Sequence, residues 1–340
     1  MFPARINQRI MLAAGLMLVI ALALSSIAYG STVIPLPAVL NALAHAAGFS
    51  DLTTSGPIER IVVDLRLPRV VLGICAGAGL GIIGAMLQTV TRNDLADPFL
   101  FGLSSGAAAG AVSVISIFGD RFGIWTLPIA AFSGGMLAAI IVLLLVRRVH
   151  GQGPERLILA GLAVSFLFAA LTNYMVFSGD QRAAHSVLFW TLGGLGLARW
   201  DNLPLAMIGL FAILVYALAN HRNLDAFLAG ENTAESLGVR VTRTRNTVFI
   251  VCAFSTAIFV SVAGVIGFVG LMIPHIARRF TGQLHAGLVV TCALLGAMLI
   301  LLSDLAARLL LAPQELPIGI VTSSVGAFFV VTTLLRRRTG

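Results

Sequence analysis

Three hundred and forty residues, 58% of them hydrophobic and 11% charged, with a mean hydropathy of +0.99, lie far outside the composition of soluble globular proteins and exclude a soluble enzyme. The net charge of +8 comes from 22 basic residues, every one an arginine, against 14 acidic ones. A chain without lysine has no Walker A loop, no Schiff-base lysine and no kinase ATP site, so any nucleotide energy has to come from a partner.

Crossing a bilayer takes about 20 apolar residues, which leaves room for about ten spans. The first run, 10–29, reads as a span rather than a cleaved signal, because no small-residue cleavage site precedes further apolar sequence. A loop over 31–67 follows, with Pro35, Pro37 and a short helix through 39–46. The run 70–90 carries Gly73, Gly77 and Gly81 at spacing four, the pattern of closely packed helices. Asn93 to Pro98 is a tight joint ending in a proline suited to start the next helix; it is either a plain connection or a place where backbone dipoles face a cavity. Runs at 99–118, 124–146 and 157–177 come next. Phe189 to Ala198, with Gly193, Gly194 and Gly196, is too short to cross and reads as re-entrant or interfacial. The remaining runs are 203–219, 247–268, a short one at 266–277, 286–302 and 316–335, with a polar loop at 221–245. The expectation is an all-α, polytopic single membrane domain over 1–340 with ten helices. Threading ten spans from Arg5 and Arg9 places both termini and 15 of the 22 arginines in the cytoplasm, in keeping with the positive-inside rule. Scattered between apolar runs, the arginines read as topology signals facing anionic lipid, not as a nucleic-acid surface.

Chemistry is sparse within the spans. Asp64, Asp97, Glu155, Asp304 and Glu315 fall near predicted ends, so the deep carboxylate of an ion-driven transporter is missing. His275 beside Pro274 is the one histidine in a broken run, and a packed structural role suits it better than coupling. Gly102-Leu103-Ser104-Ser105-Gly106 matches G-x-S-x-G without the strand that a nucleophile elbow needs. An intramembrane serine protease with His275 as base is the rival enzyme reading; close helix packing is the plainer one. Cys75, Cys252 and Cys292 lie far apart and imply neither disulfide nor zinc, and no metal site is expected. The stretch 224–239 reads as two short helices joined at Gly230, with Glu231 early, Ala234 and Leu237 on one face and Gly238 as a stop. It suits lipid or a partner's groove, and its mixed charge disfavours lipid.

Taken in order, Arg66-Leu67-Pro68-Arg69, Gly84 to Gln88, Asn93 to Pro98, Gly102 to Ala107, Gly230-Glu231 with Ala234 and Leu237 to Val239, Gly267 to Leu271 leading to Ile273 to Arg278, and Glu315 to Gly319 resemble the permease subunit of the iron-chelate and vitamin B12 family of type II ATP-binding-cassette importers. Asp94 departs from the proline usual there. The resemblance implies a type II importer permease fold in a bacterial inner membrane. Its partners would be a second permease copy, taken as identical, two ATPase subunits that bind ATP and magnesium, and a periplasmic binding protein; the chain itself would need no cofactor. Arg66, Arg69 and Arg308 would dock the binding protein; for Arg66 and Arg69 the alternative is that they act as interfacial anchors or pair with Asp64. Gly230, Glu231, Ala234, Leu237 and Gly238 would couple to the ATPase. Asn93, Pro98, Gly102, Ser104, Ser105, Gly106, Pro274, His275, Pro317 and Gly319 would form pathway walls or hinges. The cargo expected from family frequency is an intact iron chelate, ferric siderophore or haem; a vitamin B12 permease and a secondary transporter not driven by ATP are the alternatives.

Overall fold

The computed structural model describes residues 8–30, 32–49, 56–118, 123–148, 153–179 and 181–337. Arg5, Arg121 and Arg338 lie outside them, as does Ser31 at the head of the first loop, and the side chains of Arg182, Arg336 and Arg337 are likewise outside the described set. All the regular structure in these segments is helical: α1 Gln8–Ala28, α2 Leu36–Ala46, α3 Gly56–Arg60, α4 Leu67–Thr91, α5 Leu103–Ser113, α6 Thr126–Arg148, α7 Glu155–Ser178, α8 Gln181–Thr191, α9 Leu203–Ala219, α10 His221–Leu228, α11 Glu231–Ser236, α12 Val241–Ala263, α13 Val269–Thr281, α14 His285–Leu309 and α15 Ile318–Arg337.

Six of these, α1, α4, α6, α7, α12 and α14, are long and apolar enough to cross a bilayer, and α9 joins them as a pair with α10 bent by 64°. Three shorter helices, α5, α13 and α15, stand beside them in the bundle. A helix rises 1.5 Å per residue, so the 13 residues of α13 fall well short of about 30 Å; it meets α12 at a break within the bundle.

The first loop differs from expectation. Its second half is already helical: α3, a π-helical turn at Ile61–Arg66 and α4 run on as one helix, Gly56–Thr91. α2, started by Pro35 and Pro37, lays Val39 and Ala42 against it in a small apolar cluster with Ile27, Val62 and Val70.

α4 is the axis of the molecule, with 89% of its most apolar window buried against 17% for α1 at the rim. Its glycines explain why. A Cβ on Gly77 would fall on the carbonyl oxygen of Gly296, one on Gly81 would lie 2.6 Å from that of Cys292, and one on Gly84 would fall on that of Gly270, so α14 and α13 pack backbone to backbone on α4. Gly106 and Gly110 meet Gly134 and Ala130 of α6 in the same way. Outward-facing residues such as Met17, Phe166, Phe211 and Phe328 are 66–72% exposed and apolar, as a lipid-facing surface requires.

Candidate functional site

One end of the bundle is tied by the arginines. Arg66 donates from Nη1 to Ile27 O (2.6 Å) and Ala28 O (3.0 Å), and from Nη2 to Thr32 O (2.5 Å) and Thr32 Oγ1 (3.0 Å). Arg308 donates to Asp304, Tyr29 O, Ser26 O and Ser26 Oγ. Arg69 bridges Asp304 Oδ1 (2.9 Å) and Glu315 Oε2 (2.8 Å). Asp64 is not among the partners of Arg66 or Arg69 in these bonds. Two acidic groups thus offset two of three cations, and the guanidinium forks stitch α1, α4 and α14 together. Arg66 and Arg308 are 8% and 4% exposed, while Glu315 offers 43% of its side chain to solvent.

Deeper in the bundle three helix breaks meet. Gly193 (φ 71°) and Gly264 (φ 67°) take left-handed backbone that a Cβ would strain. Gly194 N–H donates to Ala263 O (2.8 Å), Ile318 N–H to Gly193 O (3.1 Å) and Gly319 N–H to Leu192 O (3.0 Å). A Cβ on Gly193 would fall on Val265 O, and one on Gly319 on Leu192 O. The breaks after α8, after α12 and before α15 therefore satisfy one another's backbone groups, which is how irregular backbone survives at membrane depth. Phe268, a non-glycine joint residue at positive φ (68°), lies against Gly326 of α15, where a Cβ would fall on its ring.

Cavities flank this knot. One of ≈ 540 Å³ has Arg69 and Glu315 in its wall and is closed by Gly193, Gly264, Pro317 and Ile318. The other, ≈ 340 Å³, is lined by Leu192, Val265, Phe268 and Gly319 and reaches Asp97 and Leu95. Both are largely apolar, as suits a bulky organic ligand held by few polar groups. Asp97 is 6% exposed and caps the 3₁₀ turn Pro98–Phe101, its Oδ1 accepting from Phe99 N–H at 3.0 Å. Burial pushes its carboxyl up to about 6, against the opposing hydrogen bonds from the backbone of Phe99 and Leu271.

At the opposite end from the arginine network, α9 gives way at Asn220 to α10, and Gly230 (φ 101°) turns the chain into α11. Leu224, Phe227 and Ala234 are buried against the bundle. Glu231 Oε1 lies 2.6 Å from Arg245 Nη2, a charge contact that is not aligned as a hydrogen bond. Leu237, just past α11, is 68% exposed. A short helix clipped to the bundle, with an apolar tip offered outward, fits insertion into a partner's groove.

Residues 17–336 match the family model described as the FecCD transport family. The chain belongs to the FecCD transport family. This FecCD chain is 33% identical to the hemin transport system permease protein HmuU of Yersinia pestis over 98% of both chains. It is 38% identical to the cobalamin import system permease protein BtuC of Halobacterium salinarum, over 90% of this chain and 80% of that one. A solved structure described as an inward-facing conformation of a metal-chelate type ABC transporter superposes with a TM-score of 0.84 and 28% identity, covering 96% of this chain and 99% of that one. The fold is that of a type II ABC importer permease, and the protein is a multi-pass membrane protein of that class.

The residues singled out from the FecCD sequence fall into separate places. Pro317 and Gly319 stand in the knot and Pro98 beside it. Asn93 closes an Asx turn, Oδ1 accepting from Leu95 N–H. Gly102 (φ 78°) links the 3₁₀ turn to α5, and Gly106 packs on α6. Ser105, partly buried, follows on α5. Pro274 is buried inside α13, and His275 next to it meets Phe329 edge to face with ring centroids 5.4 Å apart. Ser104 Oγ is buried with no hydrogen-bond partner, so no base touches it and the Ser104–His275 protease dyad is not formed. Three residues of the site escaped the sequence reading as pathway positions: Gly193 read only as part of a re-entrant piece, and Gly264 and Phe268 looked like span interior. A glycine closing the 247–268 run before a second apolar run was the signal available.

Proposed function

We propose that this chain is the permease subunit of an importer whose ATP is bound and hydrolysed by separate subunits, in the bacterial inner membrane with both termini cytoplasmic. Two copies enclose a path, two ATPases with their magnesium engage Glu231 to Gly238, and a periplasmic binding protein delivers the cargo. The observation that carries this reading is the clipped α10–α11 segment with its exposed Leu237 at the end opposite the arginine network, in a chain of this family. The knot at Gly193, Gly264 and Gly319 acts as the gate between the two cavities, and tilting of α13 and α15 about Phe268 opens it.

Docking of the binding protein is assigned to the arginine end. Arg66 and Arg308 shape that surface from within by their main-chain bonds, and Arg69 is the cation that a visiting carboxylate reaches by exchanging with the exposed Glu315. The cargo is an intact iron chelate, haem or a ferric siderophore, a reading supported by the relative named as a hemin permease across nearly its whole length. Cobalamin is the second reading, favoured by the relative named for it.

The test is reconstitution in liposomes with the ATPase and binding protein, measuring uptake and stimulated ATP hydrolysis for haem, a ferric siderophore and cobalamin. Stimulation by an iron chelate is expected. Cobalamin alone stimulating would replace the cargo, and uptake by the lone chain on an ion gradient would overturn the reading.

A further inference from the structure

The two helices of the loop segment are fastened to the bundle by two separate polar chains, and both end on the same turn. From α10, Asp225 Oδ1 accepts from the main-chain N–H of His285 (2.8 Å) and from its Nδ1 (2.7 Å). Its Nε2 lies 2.8 Å from Thr89 Oγ1, whose hydroxyl donates to Ala85 O at 2.8 Å. From α11, Glu231 contacts Arg245, and Arg245 Nε donates to Val90 O at 3.2 Å. The neighbouring residue, Gln88, ties the same turn to α13: its Nε2 donates to Gly270 O and Leu271 O, both at 3.2 Å, and its Oε1 accepts from Arg278 Nη1 at 2.7 Å. One turn earlier Gly84 lies backbone to backbone on Gly270.

Four polar side chains here are almost wholly buried: His285 at 0%, Gln88 at 2%, Thr89 at 5% and Arg245 at 9%. Buried polar groups are costly in such a chain unless each is satisfied, and apolar packing would have joined these helices without them. Bonds of fixed direction do what apolar contact does not: they prevent one helix from sliding on another.

Resting on the coupling role given above to α10 and α11, we propose that Gln88–Thr89–Val90 at the end of α4 is a positioning hub. It collects displacement from both loop helices and passes it to α13, whose first residues border the gate. Thr89 and His285 take the α10 branch, Arg245 the α11 branch, and Gln88 is the output. None of these touches cargo; each acts through the next.

The test uses the whole complex purified with its ATPase. Thr89→Val removes one hydroxyl at constant shape, and Thr89→Ser restores it. ATP hydrolysed per molecule taken up, with haem, a ferric siderophore and cobalamin as probes, is expected to rise about fivefold in the valine variant and to return within about twofold in the serine variant. Because Thr89→Val leaves His285 Nε2 without this partner, a small drop in melting temperature is expected; ATPase co-purification is expected to stay at the wild-type value, and the ratio is read on the folded, assembled complex. A His285→Ala change added to Thr89→Val is expected to cost little more, since both sit on one chain. An unchanged ratio for Thr89→Val, equal loss in valine and serine variants, or loss that tracks assembly with the ATPase would each overturn the hub. Failure of the wild-type chain to co-purify with any ATPase would instead sink the permease reading, and the hub with it.

Discussion

Asp97 lies in the joint between α4 and α5, where a carboxylate is buried beside both the gate and the apolar cavity. Its pKa is raised to about 6, so the folded protein holds this proton more tightly than the unfolded chain. Its charge therefore costs nothing below about pH 4, and stability falls as pH rises from there through about 6. Asp97→Asn keeps the acceptor for Phe99 N–H without the charge; it is expected to flatten that fall and to raise stability above pH 6 by on the order of 1–3 kcal/mol, read by thermal unfolding in detergent across pH 4–8. Arg66 shows the complementary case of a buried charge whose terminal donors all find acceptors. Its two terminal nitrogens each serve two acceptors, a fork that an ammonium does not reproduce, so Arg66→Lys is expected to cost about 1–3 kcal/mol in the same measurement. The sequence marks Arg66 as unusual, but the acceptors are 34 to 39 residues away on α1 and its following turn, which no local pattern shows.

Among the elements, α4 and α14 are held by absence of side chains. Gly77 and Gly296 each fill the space where the other's Cβ would stand, so Gly77→Leu forces the helices apart and is expected to destabilise the protein by about 1–3 kcal/mol or more, seen as a lower melting temperature and loss of the α4–α14 cross-link between engineered cysteines. The spacing of Gly73, Gly77 and Gly81 announces a close partner, though not which of the other helices it is. For α11 the sequence does better. Both loop helices and their join at Gly230 are legible from charge, glycine and the apolar face. Because Leu237 is largely exposed, Leu237→Asp is expected to leave the melting temperature unchanged while lowering ATPase co-purification about tenfold, the scale of burying one charge in an apolar groove.

Across the whole molecule the two loop regions stand at opposite ends: α1 finishes at the arginine network, α4 starts there, and α4 ends at the hub beneath α10. The three native cysteines are 0–5% exposed and give little background, so a maleimide that does not cross membranes reports sidedness cleanly. Phe49→Cys is expected to label in intact spheroplasts and Leu237→Cys only after lysis; the reverse pattern would invert the topology.

Composition alone determined that the chain lives in a bilayer, that it lacks lysine chemistry and that it has room for about ten apolar spans, because the hydrophobic cost of a span is a property of about 20 consecutive residues. Ordered motifs added the family. What tertiary structure decided was where the helices break against one another. Gly193, Gly264 and Gly319 are ordinary glycines until three distant segments exchange N–H and C=O groups, and Thr89, Arg245 and His285 are scattered polar residues until α4 brings them to one turn. Local sequence encodes the cost of leaving a polar group unsatisfied in lipid; only the packed bundle encodes which group satisfies it.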